Sequence, residues 1–158
     1  MKRENLKTYI IGVLISLTVG VLSALLTSGS MEIYGAMAMK PPLAPPGWLF
    51  PVVWTILYAL MGISAAMIWL SPKSRARDSG LNLYIAQLIV NFFWSLIFFN
   101  AQAYGFAAIW LILLWILVLL MILQFRKVNA TAAVLQIPYL IWLTFAAYLN
   151  IAIWVLNP

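Results

Sequence analysis

Three tryptophans and a few uncharged polar residues are the side chains best placed to do chemistry in this otherwise apolar sequence. Gln87, Asn91 and Trp94 stand at i, i+4 and i+7, with Phe98 one turn further, so all four share one helical face. Trp54, Tyr58 and Met61 share another, with Gly62 beside them. Trp142, then Phe145 or Ala146, then Leu149 line a third, with Asn150 two turns from Trp142. A side-chain amide in lipid is strongly disfavoured unless hydrogen-bonded, so these faces point inward. At this level two readings of the amides stay open. They are glue between helices, worth roughly 1 kcal/mol per contact, or the wall of a pocket with a few polar points. Indoles converging with amides suit a flat, conjugated, largely apolar ligand. Rings stack on its faces, and indole N–H groups reach its polar rim. Trp48, Trp69, Trp110 and Trp154 lie near segment ends or on apolar faces and fit an interfacial aromatic belt.

The residue types also exclude chemistry. There is no cysteine and no histidine. Disulfides, thiolate metal sites, a cysteine nucleophile and an imidazole base are therefore ruled out. No metal site is expected. No Asp, Glu, Lys or Arg falls inside an apolar segment, which argues against a proton-coupled pump or a charged ion pore.

The elements that must position these residues are membrane helices. Of 158 residues, 66% are hydrophobic, against 9 Lys+Arg and 3 Asp+Glu. Few soluble domains have so little polar surface. The fold class expected is an all-α integral membrane protein, a single domain of five transmembrane helices over about 9–26, 48–70, 81–99, 106–125 and 132–156. The first run exceeds the roughly 7–15 residues of a signal-peptide core, so it reads as a span. Gly12, Ser16 and Gly20, continued by Ser23 and Thr27, form a small-residue stripe suited to close helix packing. Residues 28–47 form the longest connection and read as a lid. It closes with K-P-P-L-A-P-P-G-W at 40–48, whose prolines dictate stiff extended backbone. Pro51 falls in the first turn of the next helix, and Pro138 suggests a kink in the fifth span.

With the N-terminus inside, eight of the nine basic residues fall on the cytoplasmic side and only Lys40 lies opposite. The positive-inside rule thus places the N-terminus in, and the C-terminus and first loop out. The net charge of +6 is explained by this bias, and no nucleic-acid partner is expected. With no transit peptide before the first span, a bacterial cytoplasmic membrane fits best, with an organelle outer membrane as the alternative. No internal repeat argues for an inverted-repeat transporter.

K-P-P-L-A-P-P-G-W at 40–48 followed by W-T-I-L-Y-A-L-M-G at 54–62 resembles the translocator protein family, also called the tryptophan-rich sensory protein (TspO/MBR) or peripheral benzodiazepine receptor family. A-Q-L-I-V-N-F-F-W-S-L-I-F-F at 86–99 and P-Y-L-I-W-L-T-F-A-A-Y-L-N at 138–150 are similar to its third- and fifth-helix motifs, in the right order. The resemblance implies a five-helix bundle, usually a homodimer in the bilayer, with a pocket open toward the first loop. It implies binding of porphyrins (protoporphyrin IX, haem) and benzodiazepine-type ligands, with transport of tetrapyrroles or other lipophiles as the alternative. Some bacterial members are reported to promote light- and oxygen-dependent breakdown of protoporphyrin IX. Carried over by position, the ligand-binding residues are Tyr34, Trp54, Tyr58, Gln87, Asn91, Trp94, Phe106, Leu113, Trp142, Ala146 and, deeper, Leu149. Where breakdown occurs, Trp54 and Trp142 would be the catalytic donors. No cofactor is required, since porphyrin is ligand or substrate. Without His or Cys, axial iron ligation is limited to Met or Tyr, so hydrophobic binding is expected rather than tight iron coordination.

Three positions depart from the family. Leu43 stands where an aromatic is usual, and Phe106 where animal members have Trp. The segment after Leu149 lacks the Tyr and Arg of a pattern proposed for cholesterol, so no sterol binding is expected there.

Overall fold

Proline marks three of the places where this chain leaves the helix. In the computed structural model, which describes residues 2–158 with the side chain of Met37 excepted, α1 runs Arg3–Met37 and α2 Leu49–Trp69. α3 is Arg75–Ser95 and continues as a π turn over Leu96–Asn100. α4 is Tyr104–Val128, α5 Ala130–Leu135 and α6 Ile137–Leu156. Five stretches are long and apolar enough to cross a membrane, the last comprising α5 and α6 together.

Three boundaries differ from expectation. Half of the lid expected over 28–47 is helix: α1 continues through Ser28, Gly29 and Gly35 to Met37, leaving residues 38–48 as the connection. Glycine costs a helix only about 1 kcal/mol, whereas the backbone restriction imposed by Pro41 is prohibitive. At 35 residues, α1 is about 52 Å long against a hydrocarbon core of about 30 Å, so it projects well beyond the lipid core. The polar loop expected over 71–80 is half helical too. Ser74 caps α3, its Oγ accepting from Arg77 N at 3.1 Å. The fifth span is broken, not merely bent, at Gln136, two residues before Pro138.

The spans form a closed ring. α1 packs on α2, α2 on α5, α5 and α6 on α4, α4 on α3, and α3 with its π turn on α1. The small-residue stripe of α1 makes the closest of these approaches. A Cβ on Gly62 would lie 2.5 Å from Val13 Cα, and one on Gly12 would lie 2.7 Å from Gly62 O. Ser16 Oγ donates to Tyr58 O at 2.6 Å, and Gly20 faces the Tyr58 ring. At the charge-rich end, Arg77 is buried. It donates to Trp69 O at 2.9 Å and lies over the Trp69 ring, tying the end of α2 to the start of α3.

Candidate functional site

The polar residues of the predicted faces meet in the centre of the ring. Tyr58 Oη donates to Asn91 Oδ1 at 2.6 Å, and Asn91 Nδ2 donates to Tyr139 Oη at 2.7 Å. Tyr139 Oη donates to Gln87 Oε1 at 2.7 Å, and Gln87 Nε2 lies 3.9 Å from Met61 Sδ. All of these residues are buried. The chain of bonds joins α2, α3 and α6 across the bundle. Gln87 and Asn91 thus spend their polar groups on helix neighbours.

Aromatic rings cover this floor on the side away from the charge-rich end. The Trp54 centroid is 5.6 Å from Tyr58, 6.2 Å from Tyr139 and 6.4 Å from Trp142. Trp142 also packs against Phe50 at 5.9 Å and Phe145 at 5.6 Å. Trp142 Nε1 is buried and meets no hydrogen-bond acceptor among the described residues. α2 packs closely on α5, but its backbone keeps its distance from α6, and the seam between α2 and α6 is bridged by these rings.

The connection 38–48 is fastened over the same end. Asn157 grips Met39 through both backbone groups: Met39 N donates to Asn157 Oδ1 at 2.9 Å, and Asn157 Nδ2 donates to Met39 O at 2.8 Å. Tyr148 Oη donates to Pro42 O at 2.8 Å. Ala44 N donates to Pro41 O at 3.2 Å, closing a turn with Pro42 at its second position and Leu43 at its third with φ 69°. That position favours Gly or Asn, and Leu43 is 80% exposed.

Not every expected residue joins this site. Phe106 and Leu113 face outward, at 55% and 42% exposure, on the α4 face opposite buried Leu111, Leu114 and Val118. They lie on the outer surface of the bundle, because the inward stripe of α4 is set one position along. Tyr34, expected in a lid, is helical and belongs to a second aromatic cluster. It packs edge-on to Phe98 at 5.5 Å and Phe99 at 5.4 Å, with Lys40 Nζ 5.2 Å from its ring centre. Trp94 stacks on Phe98 at 5.1 Å, and its indole donates to Asn150 Oδ1 at 3.0 Å, so that N–H is already committed. Leu149, expected deeper than Trp142, is buried two turns nearer the far end. Ala146 is buried one turn beyond Trp142. Trp110, expected in an interfacial belt, donates to Val90 O at 2.7 Å and joins α4 to α3. Phe50 and Tyr139 were missed. Each carries a signal in the sequence: Phe50 is four residues before Trp54, and Tyr139 three before Trp142.

Two open surface grooves, of about 740 Å³ and 500 Å³, lie at the charge-rich end. Each is lined from a single helix, by Arg75, Ser79, Asn82 and neighbours or by Leu123, Arg126 and neighbours, so neither has an opposing wall. The convergent chemistry is at the rings.

Fold and interior together define a multi-pass α-helical membrane protein with tryptophans packed against its core. The sequence model of the TspO/MBR family matches residues 12–155. The chain is 38% identical over 146 residues to the tryptophan-rich protein TspO of Chlorobaculum tepidum, covering 90% of each chain. It is 38% identical over 121 residues to the translocator protein of Ovis aries, covering 75% of this chain and 72% of that one. It is 35% identical over 111 residues to the tryptophan-rich sensory protein of Cereibacter sphaeroides, covering 70% and 68%. The chain belongs to the TspO/MBR family.

Proposed function

We propose that this protein is a membrane receptor or sensor for porphyrins and benzodiazepine-type lipophiles, held between Phe50, Trp54, Trp142 and Phe145. One observation carries the reading: Trp142 presents an indole N–H that is buried, unpartnered among the described residues and walled by aromatic rings. A buried donor without an acceptor is unfavourable by about 1–3 kcal/mol, and an acceptor on a flat ligand removes that cost. The rings supply stacking area, and the hydrogen-bonded floor sets how deep a ligand can go. Relatives named as sensory and translocator proteins support the receptor class. Residence in a bacterial cytoplasmic membrane and pairing of two copies belong to the same proposal.

Breakdown of bound porphyrin in light and oxygen would fall to the same rings. Trp54 and Trp142 are the electron-rich groups nearest such a ligand, and the protein's part is to hold it against them.

Titration with protoporphyrin IX, read by tryptophan fluorescence in the dark, tests the site. Trp142→Phe keeps most of the ring area but loses the donor. An affinity loss of about tenfold, near 1.4 kcal/mol, is expected, with Trp154→Phe at the far end as a control. Unchanged affinity in Trp142→Phe, and also in Trp54→Phe with Trp142→Phe, would remove the box from the reading.

A further inference from the structure

The break in the fifth span holds a buried polar side chain that the aromatic site does not use. Gln136 has 0% exposure, yet neither Nε2 nor Oε1 meets a hydrogen-bond partner among the described residues. It sits at the turn between α5 and α6. Pro138, two residues on, has no N–H to continue the helix ladder, which is why the break falls here. α5 itself is pinned. Asn129 Oδ1 accepts from Thr131 N at 3.0 Å and Ala132 N at 3.2 Å, and Ser64 Oγ donates to Ala132 O at 2.7 Å.

The neighbouring layer points the same way. Tyr139, one turn beyond Gln136, bonds Gln87 of α3. α3 and α6 run parallel, so Tyr84, one turn before Gln87, falls on the same charge-rich side of that bond. The Tyr84 hydroxyl also meets no hydrogen-bond partner among the described residues, in a residue 6% exposed. It lies toward Ser16 without meeting hydrogen-bond geometry, and Ser16 donates to Tyr58 O instead. Above the Tyr139–Gln87 bond, the Tyr58 hydroxyl and the Asn91 amide are closed on side chains. Below it, an amide and a hydroxyl are not.

An amide needs both a donor for its oxygen and acceptors for its nitrogen. In a space closed to bulk solvent, the molecule that meets both demands is water. We propose that this layer is an internal hydration site, in which bound water supplies the hydrogen-bond partners that the Gln136 amide lacks. Water at this point makes the break a hinge. α5 stays fixed by Asn129 and Ser64, while α6, which carries Tyr139 and Trp142, changes angle without stranding the Gln136 amide.

The test uses the full chain in lipid. Water-to-protein polarisation transfer in solid-state NMR is compared for the side-chain amides of Gln136 and Gln87. Gln87 is the internal control, because its oxygen accepts from Tyr139 and its nitrogen faces Met61. Build-up several-fold faster at Gln136 is expected, and build-up no faster than at Gln87 overturns the proposal. Thermal unfolding of Gln136→Leu gives an independent sign. If water bridges the amide, the substitution strands the groups on its other side and Tm falls. If the amide is dry, leucine relieves it and Tm rises, which also overturns the proposal.

Discussion

Asn91 shows how one side chain can set the interior of a membrane bundle. It accepts from Tyr58 and donates to Tyr139, so it satisfies phenols on two other helices. Asn91→Leu keeps the volume but leaves the Tyr58 hydroxyl without its acceptor. A loss of about 1–3 kcal/mol is expected in thermal unfolding, and a variant as stable as the parent would show that the bonds are not coupled to the fold. Leu43 makes the opposite case. It occupies a positive-φ turn position while largely exposed, so its side chain contributes little to balance the strain. Leu43→Asn should stabilise by about 0.5–1 kcal/mol, since Asn tolerates that conformation. An unchanged or lower Tm would contradict the turn geometry. Asn91 was legible from spacing, because a lone amide on an inward face must find partners. The identity of those partners was not, because Tyr139 is distant in the chain and only the packing of α6 brings it near.

Among the elements, α1 and α2 depend on glycine in a way that can be isolated. Gly62→Ala places a methyl group against the backbone of Val13, a neighbour that cannot rotate aside. Overpacking of this kind costs roughly 1–3 kcal/mol. Gly29, on the same α1 helix, meets nothing within 4 Å, so Gly29→Ala should instead stabilise by roughly 0.5–1 kcal/mol through helix propensity. Opposite signs in the two melting curves are the expected outcome, and equal signs would refute the crossing. The stripe of small residues announced close packing, and the crossing realises it. The length of α1 was harder to read, since Ser28 to Gly35 looks like loop composition. Composition weakens a helix by tenths of a kcal/mol per residue, whereas a proline in its interior costs about 3 kcal/mol. Phe106 and Leu113 show the matching error in rotation. Almost all of α4 is apolar, so hydrophobicity carries no phase, and packing alone selects which stripe turns inward.

For the whole molecule, the charge bias gives a direct test of orientation. The chain has no cysteine, so single cysteines report without background. Lys40→Cys should react with an impermeant maleimide on intact bacterial cells. Lys73→Cys should react only after permeabilisation. The reverse pattern would invert the bundle and move the aromatic box to the other face of the membrane.

Five spans and the inward set of Trp54, Asn91 and Trp142 are written in the sequence by itself. Each rests on a local quantity: apolar length, or helical spacing around a group that lipid will not accept. Tertiary structure alone decided that Trp94 spends its N–H on Asn150 while that of Trp142 meets no acceptor among the described residues, and that Tyr34 lies in a separate cluster. It also decided that Gln136 is buried without a partner among the described residues at the break before Pro138. The reason is that a hydrogen bond between helices depends on how the helices rotate and tilt against one another. That arrangement is set by the closing of the whole ring and not by any one segment.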